Sequence, residues 1–292
     1  MSTVVSRMRH SPDGCSEEWL ACRPHARGGC ARSPDALVYT PPVSEIRIIP
    51  IRGVGETRPG DDVAVVLVAA FEQQGERLLA GDILVVTQKI VSKAEGRLVQ
   101  LATVTPSETA RELAAVNGRD PRQIEVALRE TARVVRMERG VLISETRHGF
   151  VCANAGVDAS NLATADEVAL LPEDPDASAR GIRDAIRAAR GVDVAVVISD
   201  TFGRAWRNGQ TNVAIGLAGM HSVHDYRGQQ DSAGLTLVVT EIAVADELAS
   251  AAELVMNKLD RVPAAVVRGY AFDPGEGSAQ ELVRPAELDM FR

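Results

Sequence analysis

Cysteine is scarce and unevenly placed. Of four cysteines in 292 residues, Cys15, Cys22 and Cys30 fall near the start and only Cys152 belongs to the remainder. A body with one cysteine has no disulfide framework, which fits a reducing compartment and a cytoplasmic location. Long apolar runs are missing too. The longest, Val63 to Phe71, is flanked by Asp62 and Glu72 and is too short to cross a bilayer, so no membrane partner is expected. Excess positive charge is also absent: 32 Lys and Arg stand against 40 Asp and Glu, a formal net charge of -8. General nucleic-acid binders depend on basic surface to neutralise phosphates, so nucleic acid is not an expected partner. An anionic small molecule would need a local basic patch inside this acidic chain.

Several familiar signatures are missing as well. There is no GxxxxGK(S/T) phosphate loop; Gly203 to Thr211 is rich in glycine but has the wrong spacing and no lysine. No GxGxxG follows a strand. His10, His25, His148, His221 and His224 form no HExxH pattern. His148 reads as a surface residue of a turn, and Cys152, in an apolar strand, as a small buried residue rather than a nucleophile.

What is present is ordinary globular composition, 45% hydrophobic and 25% charged, with enough chain for one large core or two smaller ones. Residues 1–43 differ: they are rich in Arg, Ser, Gly, Pro and Cys and lack periodicity. No apolar stretch follows Arg7 and Arg9, so this is not a secretory signal. The segment reads as a disordered or mis-assigned N-terminal extension. A metal site from Cys15, Cys22, His25 and Cys30, or a targeting segment, are the competing readings, although no CxxC pair occurs. Residues 44–292 read as one domain.

That domain alternates strands and helices, predicting a mixed α/β or α+β body without internal repeats. Strands are predicted at Ile46–Ile51, Asp82–Thr87, Val194–Ile198, Thr236–Thr240 and Ala264–Val267, and a hairpin about Arg147-His148-Gly149. Asp62, Ser107 and Asp120 sit where helix N-caps are needed, the last followed by Pro121 and Gln123 as a capping-box variant. A helix striped by Ile182, Ala185, Ile186 and Ala189 ends at Gly191, and another is striped by Leu248, Ala252, Val255 and Leu259.

Three stretches carry chemistry. In VAVVISDTFGRAWRNG (194–209), an apolar strand leads to Asp200 and Thr201, expected at its C-terminal end, where ligands bind in open α/β sheets. Carboxylate and hydroxyl oxygens suit Mg²⁺ or Mn²⁺, and Arg204 and Arg207 beyond them offer guanidinium forks for phosphate or carboxylate. The same residues also read as a turn-capping Asp with solvated arginines. Asn154 to Asn161 (NAGVDASN) is a loop of small residues in which Asp158 is a candidate second carboxylate, or an ordinary Asx turn. Thr87 to Arg97 places Lys89 and Lys93 on one side of a helix, as a phosphate site or a solvated basic face.

These segments, with GVGETRPGDD (53–62), DYRG (225–228), DELA (246–249) and AAELVM (251–256), occur together in one order. In that order the chain resembles the coenzyme F420-0:L-glutamate ligases, which also form the N-terminal half of fused actinobacterial F420 ligases. The resemblance runs from about Glu45 to Phe291. It implies an F420 γ-glutamyl ligase-like α+β fold with mixed sheets, no P-loop and an intertwined homodimer. It further implies a ligase that joins L-glutamate to F420-0 as an amide, adds further glutamate by γ-linkage, and releases GDP and phosphate from GTP. By similarity Asp158, Asp200 and Thr201 match metal-binding positions for one or two Mg²⁺ or Mn²⁺ ions, with K⁺ a further candidate. Val54, Gly55, Glu56, Thr57, Gln88, Lys93, Asn161, Asn257 and Lys258 match nucleotide-contacting positions. Asp200, Arg204 and Arg207 are the catalytic candidates. Gly55 stands where the family usually has proline, and Asn257 where it usually has glycine. An amide ligase acting on another phosphorylated carboxylate, or a silent nucleotide-binding protein, are the alternatives.

Overall fold

The computed structural model describes residues 45–160, 162, 164 and 166–289; the expected extension at 1–43 and Asn161 lie outside these. The chain opens with β1 (Arg47–Ile51) and α1 (Val63–Gln73). Asp62 caps α1 by accepting from the Val65 N–H, as its position predicts. Val63, Leu67 and Phe71 recur at helical spacing and are buried, and burying Leu67 and Phe71 contributes about 2 kcal/mol each. The apolar β2 (Ile83–Thr87) runs directly into α2 (Gln88–Ala94).

After β3 (Leu98–Gln100) come α3 (Glu108–Asn117) and α4 (Pro121–Arg129). Ser107 accepts from the Ala110 N–H at the start of α3, and Gly118 ends it at φ 62°. Asp120 caps α4 by accepting from Arg122 N–H. Next are β4 (Thr131–Glu138), β5 (Val141–Thr146) and β6 (Val151–Ala153), an antiparallel trio containing the expected hairpin. The short β7 (Glu167–Ala169) pairs with β3, and α5 (Pro175–Arg190) ends at Gly191 with φ 67°.

The strand expected to stop at Ile198 is longer. β8 spans Ala195–Arg204 and turns directly into β9 (Arg207–Ala218). Asp200 and Thr201 therefore lie inside a hairpin, because pairing with β9 continues after pairing with β2 has ended. The strand expected at Thr236–Thr240 does not form. Val238 and Val239 are 74% and 82% exposed, and β propensity alone makes no strand without a partner. The region holds the pair β10 (His224–Asp225) and β11 (Glu241–Ile242), and beyond it a single antiparallel bridge between Gln230 and Thr236 that is too short for a strand. Helix α6 (Val244–Met256) stops before Leu259, which is exposed, and β12 (Ala264–Arg268) closes the fold.

The main sheet has the order β1-β12-β2-β8-β9 and is antiparallel except for the β2–β8 pair. One face packs against α1 and α5 through Leu84, Val86, Val196 and Ile198. The other packs against α6 through Ile83, Val85, Ala195 and Val197. The alternation of strand side chains decides which residue faces which layer. Among the described residues no helix is long and apolar enough to cross a membrane.

Asp82, just ahead of β2, is buried and ties the sheet together. It accepts two hydrogen bonds from Arg268 of β12, at 2.8 and 2.7 Å, and one from Leu79 N–H. Asp82→Ala removes these bonds and leaves the guanidinium only Arg77 O at 2.8 Å and the Glu76 carboxylate at 3.7 Å. It is expected to lower the unfolding free energy by about 3 kcal/mol, read by chemical denaturation; a change within 0.5 kcal/mol, roughly that of an inert surface substitution, refutes this role.

Candidate active site

The parallel register pairs Thr87 with Ser199, so the carboxyl ends of β2 and β8 coincide. At that edge β2 becomes α2 while β8 continues past it, leaving Asp200 on a strand whose β2 neighbour has ended. Asp200 shares its face with Ile198, the side of the sheet on which Cys152 and α2 lie. It keeps some accessible surface but is largely enclosed by protein. Burial, and then the charge of Asp158, push its carboxyl up to about 6 against the pull of Thr201 N–H, Lys258 and Lys89. Burial and the nearby Asp200 charge also push the Cys152 thiol up to about 12, so it is an inert buried thiol.

Asp158 arrives from a different direction. Beyond β6 the backbone enters the left-handed region at three consecutive residues, Asn154 (φ 53°), Ala155 (φ 53°) and Gly156 (φ 73°). Such turns cost non-glycine residues energy and concentrate at functional sites. Gly156 has a second constraint, since a Cβ there would meet the Leu171 side chain at 2.6 Å. Asp158 is then anchored by two backbone hydrogen bonds to Ala169, of 3.0 and 2.8 Å. Desolvation works to raise its pKa, but the bond and charge of Lys89 at 2.7 Å and the Ser160 contacts hold it below the usual carboxylate value.

Helix α2 connects two groups of predicted residues. Lys89 reaches Asp158, and Lys93, four residues on and on the same side, pairs with Glu56. That pairing brings Lys93 to the Val54–Thr57 segment. Gln88 is buried and accepts from Ser92 Oγ at 2.7 Å. Thr57 is also buried, and its Oγ1 has no hydrogen-bond partner among the described residues. Gly55 has open space about it and a φ outside the left-handed region.

Thr201, adjacent to Asp200, faces the opposite layer. It pairs across the hairpin with Asn212, donates to Asn212 Oδ1 at 2.7 Å and accepts from Lys258. Glu253 of α6 closes this network, binding Asn212 Nδ2 at 2.9 Å and Lys258 Nζ at 3.2 Å. Asp158 and Asp200 are thus brought together with Lys89, while Thr201 stands with Lys258 on the other side of the strand. Asn212 and Glu253 were not foreseen, because only the hairpin register and the seating of α6 bring them to Thr201. Arg204 and Arg207 are not brought to the carboxylates. They occupy the exposed hairpin tip, where Arg204 donates to Asn208 O at 2.7 Å. Four residues of strand separate Arg204 from Asp200, roughly 13 Å.

The donor set is oxygen-rich: two carboxylates, and a hydroxyl across the strand. Among the described residues no group of three His, Cys, Asp or Glu side chains converges. That composition suits a hard divalent ion that keeps several waters. Carboxylates, lysines and hydroxyls gathered where parallel strands end define the ligand-handling edge of an α+β enzyme.

Comparison with known proteins agrees with that class. The family model described as F420-0:Gamma-glutamyl ligase matches residues 53–269. A protein of Methanothermobacter thermautotrophicus named coenzyme F420:L-glutamate ligase is 45% identical over 251 residues, covering 85% of this chain and 99% of its own length. Its namesake from Methanopyrus kandleri is 44% identical over 252 residues, covering 85% and 98%. That from Methanocaldococcus jannaschii is 42% identical over 213 residues, covering 73% and 85%. The chain belongs to the F420-0:γ-glutamyl ligase family, and it is a ligase.

Asn257, just past α6, has φ 54° and ψ 165°, a conformation that only glycine adopts without strain. This accounts physically for the glycine that the resemblance places there. Asn257→Gly is expected to raise stability by about 1 kcal/mol, strain relief being partly offset by the freer unfolded chain. Thermal denaturation checks it, and a lower midpoint would show that the Asn257–Asp260 bond of 3.0 Å matters more.

Proposed function

We propose that this chain joins L-glutamate to the carboxylate of coenzyme F420-0 as an amide, then adds a further glutamate through the γ-carboxylate, consuming GTP and releasing GDP and phosphate in the cytoplasm. The observation that carries this reading is the convergence of Asp158, Asp200 and Lys89 at the β2–β8 edge, tied by α2 to the Lys93–Glu56 pair. Relatives bearing the ligase name over nearly their whole length support it.

A carboxylate is a poor acylating agent. Transfer of the γ-phosphoryl group to the F420-0 carboxylate makes an acyl phosphate and releases GDP. The glutamate amine then forms the C–N bond, phosphate leaves, and the amine proton is lost to solvent or a nearby carboxylate. In this reading Val54 to Thr57, Gln88 and Lys93 bind the nucleotide, together with Asn161, Asn257 and Lys258. The Thr57 hydroxyl, without a partner among the described residues, is a polar group available to it. Lys89 and Lys258 carry positive charge to the phosphates. Asp158, Asp200 and Thr201 hold one or two Mg²⁺ or Mn²⁺ ions, with K⁺ as a further monovalent candidate. A bound divalent ion supplies charge neutralisation on the transferring phosphoryl group. For Thr201 to bind an ion, Lys258 must release its hydroxyl. Arg204 and Arg207, exposed at the hairpin tip, hold the phosphate-linked tail of F420-0.

Incubation with F420-0, GTP, Mn²⁺ and glutamate, followed by mass spectrometry, is expected to give glutamylated products. Asp200→Asn is expected to reduce the rate at least about a hundredfold, and Arg207→Ala to raise KM for F420-0. Undiminished ligation by Asp200→Asn at ordinary Mg²⁺ would falsify the metal assignment, and an unchanged KM in Arg207→Ala removes that arginine from the tail site.

The reading includes a homodimer. It is supported by the apolar Leu235, Val238 and Val239, which this chain leaves 68%, 74% and 82% exposed in one segment. Light scattering is expected to give twice the chain mass; a value for one chain at micromolar concentration rules the dimer out.

A further inference from the structure

A pocket of about 200 Å³ opens beside Asp158. Its place follows from local structure. Gly118 ends α3 in the left-handed conformation, and the chain turns through Arg119 into α4, which packs against the left-handed turn at 154–156. Arg119, Gln123, Asn154 and Asp158 give it a polar lining, and Ile124 and Val168 an apolar one. The volume is that of roughly seven waters at bulk density, the scale of a single amino acid and well short of a nucleotide.

The polar groups of this pocket are underused by the protein itself. Arg119 gives one hydrogen bond, of 2.8 Å, to Gly140 O and forms no ion pair among the described residues. Its neighbour Arg122, by contrast, binds both Asp120 and Asp166. The Gln123 side chain makes no hydrogen bond among the described residues. Asn154 Oδ1 is buried and has no partner among the described residues, held there by a strained left-handed backbone. A buried acceptor without a donor costs free energy, and its persistence in a strained turn points to a ligand.

We propose that this pocket is the subsite for the amino-acid substrate, L-glutamate. The Arg119 guanidinium and the Gln123 amide hold its carboxylates, Asn154 Oδ1 accepts from its ammonium group, and its methylenes lie on Ile124 and Val168. The inference rests on the ligase reading above and deepens it: the nucleophilic nitrogen is delivered next to Asp158, where the acyl phosphate forms. It also leaves the tip arginines to the F420-0 tail alone.

Three variants test it in the full chain, with KM measured separately for glutamate, GTP and F420-0. Arg119→Lys keeps the charge and the reach to Gly140 but loses the planar fork, Gln123→Ala removes one donor at a half-buried position, and Asn154→Gly removes the acceptor while suiting the left-handed backbone. Each is expected to raise KM for glutamate, by about tenfold or more for Arg119→Lys. KM for GTP and F420-0 should stay within about twofold, as should the melting behaviour of Gln123→Ala. An unchanged glutamate KM in all three, with wild-type ligation intact, overturns the pocket assignment and leaves the ligase reading standing. A parallel rise in KM for GTP assigns the pocket to the nucleotide and overturns it equally. Absence of glutamate transfer by the wild-type protein overturns both.

Discussion

The pairing of β2 with β8 is the one parallel contact in an otherwise antiparallel main sheet, and the site depends on it. Parallel strands end at the same edge, so Thr87 launches α2 beside the point where β8 carries Asp200 beyond its neighbour. Antiparallel pairing would send Lys89 and Asp200 to opposite ends of the sheet. The apolar residues of both strands, buried on two faces, hold this register, because a slip by one residue would turn Asp200 toward α6 and Thr201 toward α2. The same two-layer burial explains why both strands read as continuous apolar runs rather than alternating ones.

Around that edge the electrostatics are balanced by proximity. Burial, with the nearby Asp158 charge added to it, pushes Asp200 up, while Lys89 holds Asp158 down. The pair therefore shares negative charge unequally, an arrangement that only an added cation or the reach of Lys89 and Lys258 can even out. The alternation of the strand divides the work. Asp200 serves the α2 side, whereas Thr201 joins Asn212, Glu253 and Lys258 on the α6 side. One strand thus presents chemistry to both layers.

Backbone strain occurs at two places where ligands are expected to meet the protein. The left-handed run at 154–156 aims Asp158 and buries Asn154 Oδ1, and Asn257 adopts a glycine-like conformation next to Lys258. Both segments leave regular elements abruptly, β6 in one case and α6 in the other. The surrounding sheet and helices are regular enough to hold these conformations in place.

Local chemistry made much of this legible in advance. Asp62, Ser107 and Asp120 announced helix starts, Gly191 announced an end, and the apolar runs at Asp82–Thr87 and Val194–Ile198 announced the central strands, since each signal acts within a few residues. Spacing also placed Lys89 and Lys93 on one side of a helix. Other features depend on partners distant in the chain. Val238 and Val239 have strand-forming side chains but no neighbouring strand, and β8 runs past Ile198 because β9 continues its ladder. By itself the sequence determined which residue types could bind phosphate and metal, and the order in which family motifs occur. Tertiary structure alone decided that Asp158 meets Asp200, that Thr201 turns to Asn212 and Glu253, and that the tip arginines stay apart. Those outcomes follow from sheet register and helix seating, which join residues dozens of positions apart and leave no local trace.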